Sequence, residues 1–350
     1  MKAAVLHGAG DVRYQDVPKP VPGPGEVLVR VVAAGICGSD VPRVNDGAAH
    51  FFPIILGHEF SGVIVAMGEG VDGFSVGQRA TAAPLVPCMR CGDCQKGDYA
   101  LCSDYKFIGS RVNGAFADYV SVPALGVVPF EGSVPFEQAC LFEPATIALH
   151  GLLHAGFEPG GDVAVLGAGT IGLYALQWAR LLGARRCAAF DITRERLDLA
   201  LRLGADASFD TAEEGFPAKA SEYTSGKGFG HVFETAGSNA TMAMAFELAA
   251  GKAKVCFIGT PHADLKFGWK LFEKMNRKEF TLTGSWMSYS APFPGREWSW
   301  TAERFGDGGL LFDPAVIHKA YPMDKAGEAF ELFKTPGAVK GKILLVNRDE

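Results

Sequence analysis

The strongest constraint on the fold of this chain is a group of four cysteines within one short loop. Cys88, Cys91, Cys94 and Cys102 are separated by two, two and seven residues. Four thiolates this close in the chain can complete a tetrahedral zinc site that leaves no position for a substrate. Their neighbours are polar, unlike the usual surroundings of buried unpaired cysteines. We therefore predict a structural zinc site that stabilises the fold and does no chemistry.

Length and charge narrow the class of protein. The 350 residues suffice for two domains, because a single core rarely grows beyond about 250 to 300 residues. The formal net charge of −6 and the scattered basic residues argue against nucleic acid as a partner. Neither a signal peptide nor an uninterrupted apolar run of about 20 residues is evident. We predict a cytoplasmic protein without membrane contact, whose clustered cysteines bind metal rather than form disulfides.

The residue pattern changes near position 145. The first 140 residues are rich in glycine, proline and short β-branched runs, which predicts a mainly β domain. Beyond them, helical stretches alternate with short apolar runs, a pattern typical of βαβ units around a parallel sheet. The sequence thus predicts a β domain over residues 1–146 and 288–350, and an α/β domain over residues 147–287.

A glycine-rich turn occupies the place where a βαβ unit would bind a dinucleotide. Gly167, Gly169 and Gly172 stand between the apolar run 163–166 and a helical stretch, where a pyrophosphate can approach the helix N-terminus. Asp191 ends the next apolar run, 19 residues after Gly172, where a carboxylate can bind the ribose and repel the extra phosphate of NADP. It can equally cap the helix that starts near Thr193. We predict NAD as the cofactor, bound by Gly167, Gly169, Thr170, Ile171, Gly172, Asp191 and Arg196.

A second set of metal-binding side chains is dispersed along the chain. It consists of Cys37, His58, Glu59 and Glu143. A catalytic zinc needs only three protein ligands and an open position. Each residue also has an ordinary structural interpretation, as a small core residue, a hydrogen-bonded loop histidine or an acid at a helix N-terminus. Spacing alone leaves this second site undecided.

The order of these motifs resembles the zinc-containing medium-chain dehydrogenase family over the whole chain. The motifs are Cys37-Gly38-Ser39-Asp40, Gly57-His58-Glu59, the four-cysteine loop, Glu143-Pro144 and the glycine turn. The resemblance implies an α/β fold class, in which a GroES-like β-barrel catalytic domain carries two zinc ions and a Rossmann domain contains a doubly wound parallel sheet. It further implies an active site in the cleft between the domains and a homodimer or homotetramer.

The same resemblance implies roles for individual residues. The catalytic zinc would be held by Cys37, His58 and a carboxylate from either Glu59 or Glu143. It would lower the pKa of the substrate hydroxyl so that a hydride can leave for NAD, and Ser39 would start the proton relay. Many members have a histidine three residues after that serine, where this chain has Pro42. The proton would then leave by another route, such as water and Glu143.

Several segments, among them 50–54, 107–111 and 284–290, resemble family members that oxidise a polyol or polyol phosphate. A phosphate group would need cationic partners, for which the candidates are Arg43, Arg111, Lys274 and Arg296. Candidates for the pocket walls are Phe51, Phe52, Trp286 and Tyr289. Two alternatives stay open. One is a dehydrogenase of L-threonine or of a free polyol such as sorbitol, xylitol, threitol or galactitol, and the other is a non-catalytic structural or regulatory protein of this fold.

Overall fold

The computed structural model describes residues 1–261 and 263–347. In chain order the strands are β1 (Lys2–Gly8), β2 (Asp11–Asp16), β3 (Glu26–Gly35), β4 (Ile54–Ile55), β5 (Glu59–Met67), β6 (Arg79–Ala82), β7 (Leu85–Val86), β8 (Lys106–Phe107), β9 (Tyr119–Pro123), β10 (Val127–Pro129), β11 (Asp162–Leu166), β12 (Arg186–Asp191), β13 (Ala207–Asp210), β14 (Phe229–Glu234), β15 (Ala249–Phe257), β16 (Thr281–Gly284), β17 (Ile317–Pro322) and β18 (Lys342–Val346).

The α-helices are α1 (Asp40–Asn45), α2 (Gly92–Lys96), α3 (Phe136–Ala139), α4 (Phe142–His154), α5 (Thr170–Leu181), α6 (Arg194–Arg202), α7 (Phe216–Tyr223), α8 (Asn239–Leu248), α9 (Trp269–Lys278), α10 (Arg296–Gly306) and α11 (Ala326–Glu331). Short 3-10 helices cover Tyr99–Leu101, Ala124–Gly126, Pro314–Val316, Met323–Lys325 and Leu332–Lys334. In the described ranges, no helix combines the length and apolar character needed to cross a bilayer.

The chain divides into two compact units. The first comprises Met1–Glu143, Tyr289–Gly308 and Ile317–Glu350, and the second comprises Pro144–Ser288 and Gly309–Val316. The sequence had placed the main boundaries after residues 146 and 287. The structure places them after 143 and 288, and it assigns the segment 309–316 to the second unit.

The first unit is built on a mostly antiparallel sheet. Its strand order is β10-β6-β5-β3-β18-β17, with β9 also paired to β3. Val27, Val29 and Val31 of β3 are completely buried, because alternate side chains of a strand point to the same face. They share a core with Phe60 of β5 and Ile343 of β18. The last strand of the chain therefore packs against a strand near its beginning.

The second unit contains a six-stranded sheet in the order β13-β12-β11-β14-β15-β16. Every neighbouring pair in it is parallel. The chain starts at the central strand β11, winds outward to β13, and then returns to β14 before it winds outward in the other direction. This is the strand order of a Rossmann fold, whose ligand site lies at the carboxyl ends of the strands where the order reverses.

Candidate active site and metal centres

The four cysteines of the loop come together as the sequence predicted. Their sulfur atoms all lie within 4.8 Å of one another. The Cys88 and Cys94 sulfurs are 4.0 Å apart, close to the edge of about 3.8 Å that follows from zinc–sulfur bonds of about 2.3 Å in a tetrahedron. Backbone N–H groups of Cys88 and Cys91 donate to the sulfurs of Cys102 and Cys88. Such bonds stabilise thiolates, so the donor set fits a closed zinc site.

Donation from a backbone N–H group also shifts the acidity of this loop. The N–H group of Cys94 is the main cause that lowers the pKa of Cys91 to about 6. A thiol with such a pKa is largely ionised at neutral pH, which is the form that binds zinc. Burial, by contrast, raises the pKa of Cys94 to about 12, so Cys91 is the more readily ionised of these two thiols.

A second cluster joins Cys37, His58 and Glu59, each of which offers a ligand atom within 4.8 Å of the others. The pairing of β3 with β5 explains how they meet, because it sets Gly35 opposite Glu59. Cys37 follows the end of β3, and His58 immediately precedes β5. A Cβ atom at position 35 would collide with the Glu59 carboxylate, so glycine there leaves room for this carboxylate. One sulfur, one imidazole nitrogen and one carboxylate oxygen are a donor set that suits a catalytic zinc.

Glu143 lies in the same electrostatic environment but outside that compact three-residue set. It is only 8% exposed, and burial is the main cause that raises its pKa to about 8. The charge of His58 acts in the opposite direction, whereas Glu59 and Cys37 raise the pKa further. Glu143 is thus a buried carboxyl group that responds to all three residues of the cluster. The choice between Glu59 and Glu143 as metal ligand stays a proposal.

Asp40 supports two members of the cluster at once. Its side chain is completely buried, and Oδ2 accepts a hydrogen bond of 3.1 Å from the backbone N–H group of Cys37. The other oxygen, Oδ1, lies 3.7 Å from Nδ1 of His58, an atom that is buried and has no hydrogen-bond partner among the described residues. A carboxylate beside one ring nitrogen is the usual way in which a metal-binding histidine is oriented. Asp40 thus faces the imidazole ring, at a distance beyond that of a hydrogen bond.

Ser39 and Arg43 extend this network. The Ser39 hydroxyl donates to the Cys37 sulfur over 3.3 Å. Nη1 of Arg43 donates to the Ser39 hydroxyl oxygen over 3.1 Å and to Oδ1 of Asp40 over 2.9 Å. The predicted relay serine therefore touches a predicted ligand. The Ser39 oxygen, however, accepts a hydrogen bond from Arg43. The sequence had suggested this arginine only as a candidate for phosphate binding.

Lys342, at the start of β18, is the partner of Glu59. Its Nζ lies 2.7 Å from Oε1 and 2.6 Å from Oε2 of Glu59, and it also donates to the carbonyl oxygen of Ile36. Burial alone would lower the pKa of Lys342, but the negative charges of Glu59 and Cys37 raise it above its ordinary value. The ammonium group consequently stays charged and holds the carboxylate in place.

The glycine turn of the second unit has the geometry that a dinucleotide requires. Gly167 has φ of +96°, a conformation that glycine adopts without strain. A Cβ atom at Gly172 would collide with the backbone of the turn, whereas one at Gly169 would meet no atom within 4 Å. Thr170 and Ile171 form the first residues of α5, whose N-terminal N–H groups favour an anion. The open space at Gly169 fits a pyrophosphate group.

Asp191 ends β12 beside this turn. Its Oδ2 accepts a 2.8 Å hydrogen bond from the N–H group of Ala168, and Oδ1 accepts one of 2.8 Å from Thr193. The second bond is the local helix-start contact that was one of the two sequence interpretations. Nη1 of Arg196 lies 3.8 Å from Oδ2. The Asp191 carboxylate therefore stabilises the glycine turn through its hydrogen bond to Ala168.

Comparison with known proteins agrees with these sites. The family model "Alcohol dehydrogenase GroES-like domain" matches residues 23–132, and "Zinc-binding dehydrogenase" matches residues 170–303. Galactitol 1-phosphate 5-dehydrogenase of Escherichia coli K12 is 38% identical over 99% of this chain and 100% of its own length.

The chain belongs to the zinc-binding alcohol dehydrogenase family.

Other members show how widely this fold is used. The crystal structure of the E. coli galactitol-1-phosphate dehydrogenase covers 99% of this chain and 100% of its own with a TM-score of 0.93. Sorbitol dehydrogenase of Bacillus subtilis is 34% identical over 75% of each chain. A zinc-binding dehydrogenase of Sinorhizobium meliloti, solved with NADP, is 30% identical over 99% of this chain and 98% of its own with a TM-score of 0.89.

Family membership confirms the predicted fold class of a GroES-like unit plus a Rossmann unit. It also confirms that the protein is an oxidoreductase, which removes the non-catalytic alternative. The zinc-binding dehydrogenase family agrees with the cysteine cluster, while the NADP-bound member shows that the family does not fix the dinucleotide.

Two supporting residues of this dehydrogenase were missed from the sequence. Asp40 is the last residue of the motif Cys37-Gly38-Ser39-Asp40. The sequence predicted roles for the cysteine and the serine of this motif but none for the aspartate. Lys342 begins the apolar strand Lys342-Ile343-Leu344-Leu345-Val346, where a lysine resembles an ordinary exposed strand end. The only signal available was a charge directly next to a fully apolar run.

The four aromatic residues that are candidates for the walls of the substrate pocket differ in their exposure. Phe51 and Phe52 are 43% and 39% exposed, whereas Tyr289 is buried and its hydroxyl accepts a hydrogen bond from the N–H group of Leu85. Trp286, in the second unit, is 56% exposed. The exposed aromatic residues have the accessibility that a pocket wall needs, and Tyr289 has the environment of a core residue.

Proposed function

We propose that this dehydrogenase oxidises a secondary hydroxyl group of a polyol phosphate with NAD, and that galactitol 1-phosphate is oxidised to tagatose 6-phosphate. The observation that supports this substrate is the 38% identity to galactitol 1-phosphate 5-dehydrogenase along essentially the full length of both chains. Sorbitol dehydrogenases are less similar, at 34% identity over 75% of this chain for the Bacillus subtilis protein and 32% identity over 96% of this chain for the Halalkalibacterium halodurans protein. Oxidation of a free polyol is the second candidate.

The reaction removes a hydride from the carbinol carbon and a proton from its hydroxyl, and yields a ketone. When bound, zinc supplies Lewis-acid polarisation of the hydroxyl and NAD accepts the hydride. We assign two zinc ions to each chain. The four cysteines from Cys88 to Cys102 would hold the structural ion, and Cys37, His58 and either Glu59 or Glu143 would hold the catalytic one.

The residues of the chain supply orientation and proton handling around that centre. Asp40 faces Nδ1 of His58, and we propose that it orients the ring when a metal ion is bound, while Lys342 fixes the Glu59 carboxylate. Pro42 has no group that can carry a proton onward from Ser39. For the case in which Glu59 is the zinc ligand, we assign proton uptake to the Glu143 carboxylate, because a pKa of about 8 lets this group exchange a proton near neutral pH.

The preference for NAD rests on Asp191, which would place a second negative charge near the extra phosphate of NADP. Arg196 lies 3.8 Å from this carboxylate and offsets part of that repulsion. We propose that NAD is preferred over NADP. The Asp191→Asn variant should have a smaller difference between the kcat/KM values for the two cofactors. Steady-state kinetics with each dinucleotide measures this directly.

A substrate panel tests the proposal. Purified protein is assayed with galactitol 1-phosphate, galactitol, sorbitol, xylitol, threitol and L-threonine, first with NAD and then with NADP, and its zinc content is measured. We expect the highest kcat/KM for galactitol 1-phosphate with NAD. Turnover of free polyols alone would remove the phosphate assignment, and turnover of L-threonine alone would remove the polyol assignment.

Cysteine variants provide the matched control for the catalytic cluster. Cys37→Ala removes one predicted ligand, and we expect it to abolish turnover and to lower the zinc content from two to one ion per chain. Cys256→Ala removes a buried cysteine of the second unit that belongs to neither cluster. We expect this variant to keep both activity and zinc.

Light scattering on the same samples tests the proposed homodimer or homotetramer.

A further inference from the structure

Three basic residues of the first unit lie outside the cluster of Cys37, His58 and Glu59 and on different segments of the chain. Arg43 lies on α1, His50 lies in the loop before β4, and Arg111 lies in the turn after β8. The catalytic chemistry described above uses none of them as a ligand or base. Their arrangement relative to the cluster therefore calls for a separate explanation.

Arg43 is anchored close to the predicted metal ligands. Among the described residues, its side-chain hydrogen bonds to Ser39 and Asp40 both use Nη1, and the Ser39 hydroxyl in turn donates to the Cys37 sulfur. The guanidinium group has five N–H donors in a planar fork, so Nη2 and Nε can still donate to a ligand. The side chain is 18% exposed. Arg43 is thus a positively charged group that is linked to the Cys37 sulfur through Ser39. Its Nη2 and Nε atoms can still donate hydrogen bonds.

The backbone of Arg111 is linked to the cluster through Phe107. Its backbone N–H group donates to the carbonyl oxygen of Phe107 over 2.8 Å, and the Phe107 ring packs edge-on against His58 with centroids 5.4 Å apart. The guanidinium carbon lies 4.5 Å from the centre of the Tyr105 ring, and Nη2 donates to the Tyr105 hydroxyl. These partners are neutral. Within residues 1–261 and 263–347, no carboxylate forms an ion pair with Arg111.

His50 responds to the charges of both arginines. Partial burial lowers the pKa of His50, and the positive charges of Arg111 and Arg43 lower it further, so both guanidinium groups act on the same imidazole. Phe51 and Phe52, directly after it, are exposed. Basic groups that repel one another at an accessible surface bind an anion favourably, because the anion relieves the repulsion.

We propose that Arg43, His50 and Arg111 form the subsite that binds the phosphate group of the substrate. This inference rests on the proposed function, because it names the part of the chain that would recognise a polyol phosphate. The planar forks of Arg43 and Arg111 match phosphate oxygens, and His50 adds a third donor. The subsite and the metal cluster together hold both ends of one substrate molecule.

The other two cationic candidates have different surroundings. Lys274 forms an ion pair with Glu247 within the second unit. The guanidinium group of Arg296 lies over the Trp300 ring, 5.4 Å from its centre. Neither contacts a residue of the metal cluster through a described hydrogen bond or ring contact. The contacts that link a cation to Cys37 or His58 belong to Arg43 and to the turn of Arg111.

The test compares substrates that differ only in the phosphate group. For wild type, Arg111→Gln, His50→Asn and the double variant, kcat/KM is measured for galactitol 1-phosphate and for galactitol, and their ratio is taken. Arg13→Gln, an exposed arginine of the same unit paired with Asp11, is the matched control. We expect the ratio to fall by roughly 10- to 100-fold in Arg111→Gln, as for one lost charge-assisted hydrogen bond. It should fall further in the double variant and stay at the wild-type value in Arg13→Gln.

A binding measurement separates this inference from the proposed function. Titration calorimetry with inorganic phosphate is performed with NAD present, so that the glycine turn is occupied. Phosphate binding that is lost in Arg111→Gln and His50→Asn but kept in Arg13→Gln supports the subsite, even if wild type oxidises no polyol phosphate. A wild type that prefers galactitol 1-phosphate, with an unchanged ratio in the double variant, overturns the subsite and leaves the proposed function intact. Absence of phosphate binding by wild type also overturns the subsite.

Discussion

Replacing Lys342 by methionine tests how far the Glu59 carboxylate depends on its buried partner. Methionine keeps most of the length of the lysine side chain and removes its charge. The Lys342 and Glu59 side chains are 9% and 2% exposed, and Nζ lies within 2.7 Å of both carboxylate oxygens. The substitution therefore leaves a carboxylate in the core without its counter-charge, while the packing around it is largely kept.

The structure sets the expected size of this effect. Removing one partner of a buried ion pair costs about 3–5 kcal/mol, because the remaining charge stays desolvated. For a unit of this size, each kcal/mol shifts the melting temperature by about 2–4 °C, so Lys342→Met should melt about 6–20 °C below wild type. Glu59→Gln in the same background removes the unpaired charge and should restore much of the loss.

The assay is equilibrium unfolding in denaturant, followed by circular dichroism, of wild type, the two single variants and the double variant. We expect a coupling free energy of at least about 1.5 kcal/mol, as for strongly interacting neighbours. Lys319→Met is the matched control, since Lys319 is exposed on β17 and paired in register with Ile343 of β18. Its change should stay within about 0.5 kcal/mol. The reasoning would be refuted if Lys342→Met and Lys319→Met lowered the free energy of unfolding equally. It would also be refuted if the double-mutant cycle of Lys342 and Glu59 showed no coupling.

The effect should also depend on the metal. If Glu59 is a zinc ligand, bound zinc replaces the missing positive charge, and the loss in Lys342→Met should be smaller with zinc than after treatment with a chelator. If Glu143 is the ligand, zinc should reduce the loss much less. The same four proteins thus address which carboxylate completes the ligand set.

Three further predictions concern the cofactor turn and the two metal sites. Gly169→Ala points its methyl group into open space and should raise the KM for NAD with no loss of stability, whereas Gly172→Ala collides with the turn backbone and should lower the melting temperature. Cys94→Ser should remove one zinc ion per chain, measured by metal analysis, and make the loop the first site of proteolysis; unchanged zinc content would contradict this. Without metal, burial raises the pKa of Glu143 to about 8 and that of Cys37 to about 11, so both hold protons at pH 7. Zinc uptake should therefore release protons and tighten as the pH rises, which calorimetry in buffers of different ionisation heat measures; uptake without proton release would refute it.

The parallel sheet was predictable because its sequence signals are local. Each central strand is an apolar run followed by a helix, and the glycine turn marks the carboxyl end of the first one. Once β11 and β12 are parallel neighbours, Asp191 must end beside the turn that begins at Gly167. Its hydrogen bond to the N–H group of Ala168 is therefore a consequence of topology that sequence spacing could anticipate.

The second metal cluster was harder to predict, because its members meet through strand register. Cys37 and His58 are adjacent in space since β3 pairs with β5 and Gly35 is set opposite Glu59. No local pattern in the sequence encodes that register. The family resemblance supplied these residues as candidates, and it left open whether Glu59 or Glu143 is the ligand.

Lys342 shows most clearly why the supporting residues escaped prediction. It lies 283 residues from Glu59 in the chain, and the two meet because β18 pairs with β3. In the folded chain, β3 is therefore held between β5, which brings Glu59, and β18, which brings the counter-charge of that carboxylate. We therefore expect the cluster of Cys37, His58 and Glu59 and the docking of the last strand to be energetically linked. A change that loosens β18 should weaken zinc binding at Cys37 and His58 without touching either residue, and a bound ion should in turn stabilise β18 in its place.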